Sequence, residues 1–211
     1  MPRPVRRHLK PHQTPRRPRL PVSGFVLGAC LLAGLSPEAA AERAPLAYGL
    51  AWGSASEDTD AWRASVSRDW QRRWFERERA RLTGYWELSA ARFANSVVAQ
   101  PTDNGTGTLW NVAIAPVLRL ELGPWGEAGV RPFLDLGVGL SLMSHRNLRT
   151  GKPRSRPLGS LFQFEDRGAV GVRIGRLEVA YQRMHYSNLD LASENFGVDA
   201  HLLQLRVRSS R

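Results

Sequence analysis

The sequence predicts an all-β chain closed into an eight-stranded antiparallel transmembrane β-barrel. Three observations predict it. No long helical stripe runs along the 211 residues, about eight segments alternate with a period of two, and the charges within them fall on the face opposite the apolar one. A tilted strand crosses hydrocarbon in roughly 9–11 residues, which these segments supply. Their even count suits a closed antiparallel ladder. Closure is obligatory, because an unpaired backbone group in hydrocarbon has no water to bond.

In order, the segments read as residues 45–54, 62–70, 81–94, 109–122, 133–143, 161–174, 177–187 and 198–208, separated by Gly, Pro, Asn, Asp and Arg-rich stretches. The first two carry Trp52, Trp62 and Trp70, and the third carries Glu87. On the fourth, Val112, Ile114, Leu118, Leu120 and Leu122 alternate with Asn111, Ala113, Ala115, Arg119 and Glu121. On the fifth, Leu134, Leu136, Val138, Leu140 and Leu142 alternate with Asp135, Gly137, Gly139 and Ser141. The sixth sets Phe162, Phe164, Val170, Val172 and Ile174 against Gln163, Glu165, Arg167 and Arg173. A soluble barrel would alternate in the same way, with the apolar face inside. In a membrane barrel the faces invert, so that the charges form an internal network and the apolar face meets lipid. Trp52, Trp62, Trp70, Trp74, Trp86, Trp110 and Trp125 lie mostly near segment ends, as interfacial anchors do, although a core also accommodates tryptophan.

Residues 1–41 read as a secretory signal peptide and 42–211 as the barrel domain. The leader has Arg3, Arg6, Arg7, Lys10, Arg16, Arg17 and Arg19, then an apolar run from Gly24 to Leu35, then Ala39-Ala40-Ala41 as a cleavage site. That run is too short for a spanning helix, which needs roughly 20 residues. Cys30, the only cysteine, follows Leu27-Gly28-Ala29 and offers lipoprotein processing as the alternative to cleavage after Ala41. The leader holds seven of the 30 basic residues and one of the 19 acidic ones, so its removal lowers the formal charge from +11 to +5. The basic balance is largely a property of the leader, and no nucleic-acid partner is expected.

The seventh and eighth segments carry the candidate chemistry. Alternate residues of a strand share a face, so His185 and Ser187 project with Leu177, Val179 and Tyr181, while Asp199 projects with His201, Leu203, Leu205 and Val207. Paired as a hairpin, the two segments bring an acid, an imidazole and a hydroxyl onto one apolar face. If both termini lie on the periplasmic side, this constellation sits at the outer rim and faces lipid. His145 and His201 are expected to be structural or solvated. Glu165, Asp166 and Arg167 are expected to be interior or strand-edge ionic groups.

Three stretches, Arg81-Leu82-Thr83-Gly84-Tyr85-Trp86, Phe162-Gln163-Phe164-Glu165-Asp166-Arg167 and His185-Tyr186-Ser187-Asn188, resemble the lipid A 3-O-deacylase (PagL-type) family of outer-membrane barrel enzymes, in order from about residue 47 to 207. The resemblance implies an esterase of the Gram-negative outer membrane that removes the 3-O-linked acyl chain of lipid A. It assigns His185 and Ser187 to the catalytic pair. The family's third member is a glutamate after an Asn-x-Gly turn; here Asn195-Phe196-Gly197-Val198-Asp199 puts Asp199, one methylene shorter, at that position. Glu194, inside the turn, is the rival acid.

A second departure is Leu189-Asp190, where the family has small residues. Asn188, or backbone amides beside it, is the expected oxyanion donor. Cationic loop residues Arg146, Arg149, Lys152, Arg154 and Arg156 are candidates for contact with lipid A phosphates, a solvated loop being the other reading. No metal and no cofactor is expected. The expected partner is lipopolysaccharide in the outer leaflet, and the sequence does not decide between a monomer and a homodimer. Two readings from other classes stay open at this level: a non-enzymatic outer-membrane barrel and a soluble periplasmic lipid-binding barrel.

Overall fold

The computed structural model describes residues 44–56, 58–99, 104–149 and 155–210. The expected signal peptide at 1–41, Cys30, Lys152 and Arg154 lie outside the described residues. Within them the secondary structure is all strand. Eight long strands form the wall: β1 (Leu46–Ala55), β2 (Thr59–Asp69), β4 (Ala80–Ala94), β5 (Thr108–Leu122), β6 (Arg131–Met143), β9 (Phe162–Ile174), β10 (Leu177–Ser187) and β11 (Val198–Arg208). Three short pieces, β3 (Phe75–Arg77), β7 (Asn147–Leu148) and β8 (Arg156–Pro157), lie in the connections.

Each long strand pairs antiparallel with its sequence neighbour in the wall, and β1 pairs with β11 from Ala47↔Arg208 to Ala55↔Ala200. That last ladder closes the barrel, so no long strand is left as an edge. The second wall strand begins at Thr59, three residues before the alternation indicates, because the β1–β2 ladder runs on through Gly53↔Ala61 to Ala55↔Thr59. Thr59, Asp60 and Ala61 add no large apolar residue to the outward face, so periodicity did not reveal them.

Burial settles which face is inside. Leu50, Leu88, Val112, Ile114, Leu136, Leu142, Val170 and Val172 are exposed, whereas Arg63, Glu87, Arg119, Asp135, Glu165, Arg167, Glu178 and Arg206 are buried. A soluble barrel would show the reverse, so the soluble lipid-binding reading falls and the membrane-barrel reading stands. The tryptophans divide between the two ends of the wall. Trp52 stacks on Trp62 toward one end (ring centroids 6.3 Å apart), and Trp70 meets Trp74 and Trp86 at the other (5.5 and 6.2 Å).

The interior has two halves. Toward the end that holds the chain termini, Arg119 bonds Asp135 through Nε and Nη2 (2.7 Å each) and Glu178 through Nη1 (2.9 Å). Arg63 bonds Glu87 and Glu165 (2.7 and 3.0 Å), and Arg167 pairs with Glu87. The Tyr85 hydroxyl joins the two groups, donating to Asp135 (2.7 Å) and accepting from Arg167 (3.2 Å). Removing one partner from such a buried network strands its counter-charge, at a cost of about 3–5 kcal/mol.

Toward the other end the interior is mainly apolar, filled by Phe93, Leu109, Met143, Leu148, Leu158, Met184, Tyr186 and Leu202 among others, with uncharged Asn111, Ser141 and Gln163 between them. Phe93 and Tyr186 meet edge-to-face at 5.6 Å. This plug lies directly behind the outer ends of β10 and β11.

Candidate active site

The site is built where β10 ends and β11 begins. In β10 the residues Glu178, Ala180, Gln182, Met184 and Tyr186 turn inward, and Leu177, Val179, Tyr181, Arg183 and His185 turn outward. In β11 Ala200 and Leu202 turn inward, and Asp199, His201 and Leu203 outward. The register sets His185 directly across from Asp199. Cross-strand partners on one face bring their Cβ atoms within roughly 4.5–5.5 Å, a separation that a short carboxylate and an imidazole can bridge. The bond is present: His185 Nδ1 lies 3.0 Å from Asp199 Oδ1. The acid reaches the ring despite being one methylene shorter than glutamate, because the two backbones are already paired. The rival acid Glu194 is exposed in the turn and makes no bond to His185 among the described residues.

The other edge of the imidazole lies against Gly197, whose φ is +62°. A Cβ on Gly197 would stand 2.7 Å from the Tyr186 carbonyl oxygen and 3.0 Å from His185 Cε1. Both the left-handed turn and the close approach of the ring require glycine there. Ser187 shares the His185 face two residues further on and is itself buried. Among the described residues its hydroxyl makes no hydrogen bond, so the two side chains share a face of the strand without a direct link between them. Catalytic hydrogen bonds commonly tighten only once substrate is bound.

Behind Ser187 the chain is clamped by Asn188. Its backbone N–H donates to Asn195 Oδ1 (3.0 Å), and its side-chain amide donates to the carbonyls of Leu158 (2.8 Å) and Glu194 (2.7 Å). Both side-chain hydrogens of the expected oxyanion donor are thus committed, one within the 188–197 loop and one across to the connection between β6 and β9. Arg156 adds a second brace, with Nε on the Gly197 carbonyl (2.7 Å) and Nη2 on that of Phe196 (2.8 Å). Of the basic loop residues expected near phosphates, this one is engaged by the turn itself.

Leu189 and Asp190 follow with φ of 53° and 60°, a conformation that favours glycine. Asn195 Nδ2 donates to Asp190 Oδ1 at 3.0 Å. A short polar side chain bonded locally suits that backbone, whereas Leu189 has no such compensation.

Sequence reasoning missed Asp166. Glu165 and Arg167 do point inward, but Asp166 lies between them on β9, opposite His185 in register, on the outward face with Phe162, Phe164 and Val170. Its Oδ1 is buried and has no hydrogen-bond partner. The signal was available: Asp166 has the parity of the apolar row. His145 bonds Ser144 Oγ through Nδ1 (2.8 Å), and His201 stacks on Tyr181, with Nδ1 2.5 Å from its hydroxyl. Neither takes part in the His185–Asp199 pair. A groove of about 840 Å³ lined by Arg79, Arg81, Gly123 and Arg131 lies at the other end of the wall. A site that opens on lipid needs no deep cavity, since the bilayer itself excludes water.

The fold and this constellation define a class, that of integral membrane barrels with a candidate active site on the lipid-facing surface. Within that class, the chain belongs to the lipid A 3-O-deacylase (PagL) family, whose sequence profile matches residues 60–208. The chain is 28% identical to Lipid A deacylase PagL of Pseudomonas aeruginosa over 183 residues, covering 86% of this chain and 97% of that one. It is also similar to the crystal structure of the outer membrane enzyme PagL, with a TM-score of 0.65 and 26% identity over 76% of this chain and 98% of that one.

Proposed function

We propose that this outer-membrane barrel hydrolyses the 3-O-linked acyl ester of lipid A with Ser187 as nucleophile, His185 as base and Asp199 as orienting acid. The observation that carries the reading is the 3.0 Å bond between His185 Nδ1 and Asp199 Oδ1 on the lipid-facing side, one strand period from Ser187. With Nδ1–H held by Asp199, the imidazole presents Nε2 as its proton acceptor.

His185 Nε2 takes the Ser187 proton as Oγ attacks the ester carbonyl, forming a tetrahedral oxyanion. Collapse expels the sugar oxygen, which receives the proton from His185, and leaves an acyl-serine. Water, deprotonated in turn by His185, releases the fatty acid and restores Ser187. With the Asn188 side chain committed as a clamp, the amides of Leu189 and Asp190 are the donors proposed for the oxyanion. One such donor is worth about 10²–10³ in kcat. Asp166, across the ladder from His185 and with a carboxylate oxygen lacking a partner, is the acceptor proposed for a hydroxyl on the acyl chain.

The location suits the substrate. Most connections are longer at the end away from the termini, as at the extracellular end of such barrels, which supports a level in the outer leaflet for Ser187. All three residues come from one chain, so the reaction needs no second copy. Mass spectrometry of lipid A from cells expressing the protein is expected to show loss of one hydroxyacyl chain, and none with Ser187→Ala. Unchanged lipid A with the wild type would overturn the reading.

A further inference from the structure

Asp199 presents a difficulty that His185 does not resolve. Its side chain is 39% exposed on a surface that faces lipid, and its hydrogen-bonded partner is neutral whenever the imidazole acts as a base. A carboxylate in that setting needs a counter-charge. Asp166, across β10 from it, adds a second acid to the same face.

The one cation on the outward row of β10 is Arg183, two residues before His185 and opposite His201 and Gly168 in register. Its Nη2 lies 3.7 Å from Asp199 Oδ1, the oxygen that bonds the imidazole, while 66% of its side chain is exposed. An arginine on the lipid face costs up to about 2–4 kcal/mol near the midplane and less toward the interface, so one kept there has a task. The titratable groups that face it are Asp199 and His201 on β11, Asp166 on β9 and His185 on its own strand.

We propose that Arg183 is a positioning residue for the proposed reaction: it tethers and counter-charges the short carboxylate of Asp199, so that Oδ1 stays on His185 Nδ1. The inference rests on the Ser187–His185–Asp199 reading. The tether matters because Asp, unlike Glu, has little reach with which to follow the ring. Arg183 itself touches neither the ester nor the nucleophile, so its loss lowers turnover and leaves substrate affinity alone.

The test uses the full-length protein refolded in nonionic detergent micelles, with lipid A as substrate and activity normalised to folded barrel by circular dichroism. Arg183→Ala is expected to lower kcat about ten-fold with KM within about two-fold, the scale of a misplaced catalytic group. Arg183→Met, of similar length without charge, is expected to behave like Ala, and Arg183→Lys to recover most of the loss.

In an Asp199→Glu background, where the longer acid follows the ring unaided, Arg183→Ala is expected to change kcat less than about two-fold. Wild-type kcat in Arg183→Met, or a rise in KM alone, overturns the proposal, the latter by assigning Arg183 to the substrate. If Asp199→Glu is itself inactive, the contrast between Met and Lys decides. Inactive wild type, or active Ser187→Ala, would instead overturn the catalytic reading beneath it.

Discussion

The outward face of β5 and β6 and the outward face of β9, β10 and β11 follow the same two-residue alternation and meet the same lipid. On the first, Trp110, Val112, Ile114, Leu134, Leu136, Leu140 and Leu142 are exposed without a charge among them. On the second, Asp166, Arg183, His185, Asp199 and His201 interrupt the apolar row toward one end. Strand geometry cannot account for the difference, because both sectors share it. Lipid tolerates polar side chains poorly. Other outward charges, Asp60, Arg68 and Arg92, stand singly on β2 and β4, whereas the β9–β11 group gathers two acids, an arginine and two histidines on adjacent strands.

Breaking that contrast at the nucleophile has the largest expected effect. Ser187→Ala should lower kcat by a factor on the order of 10⁶ while the barrel folds as before, measured as fatty-acid release from purified lipid A. Asp199→Asn keeps the shape but offers the ring a poorer orienting group; a loss of about 10⁴-fold is expected in the same assay. Retention of a tenth of wild-type activity would remove Asp199 from the site.

Moving a charge into the apolar sector sharpens the comparison from the other side. Ile114→Lys should cost about 2–4 kcal/mol of stability in urea unfolding from vesicles, with activity per folded molecule unchanged. Smallest of all, Leu189→Asn should gain about 0.5–1 kcal/mol in the same unfolding measurement, since asparagine tolerates the left-handed backbone that leucine resists. A loss of stability would show that the Leu189 side chain, not its backbone, holds the loop.

Most of the wall was legible because alternation is local: each residue's face follows from its neighbours two positions away. The same arithmetic placed His185, Ser187 and Asp199 together. Parity also separates Asp166 from Glu165 and Arg167 and sets it on the outward row of β9, opposite His185. What was not legible depends on distant partners. The Asn188 amide is committed to Leu158 and Glu194, carbonyls whose approach is set by loop packing. The first residues of β2 are strand only because β1 pairs with them. The engagement of Arg156 by the 196–197 turn is likewise invisible until the loops are folded.

Asp199 is also held from its other side. Its N–H donates to Ser56 Oγ at 3.0 Å, and its carbonyl accepts from the Ser56 N–H at 2.9 Å, across the ladder that joins the first strand of the wall to the last. Those two residues are 143 positions apart in the chain, so this contact forms only when the ring of strands is complete. In a chain whose first and last strands have not met, the proposed acid lacks that support. Ring closure thus anchors the backbone of the proposed acid, tying the fine placement of the site to the completion of the barrel.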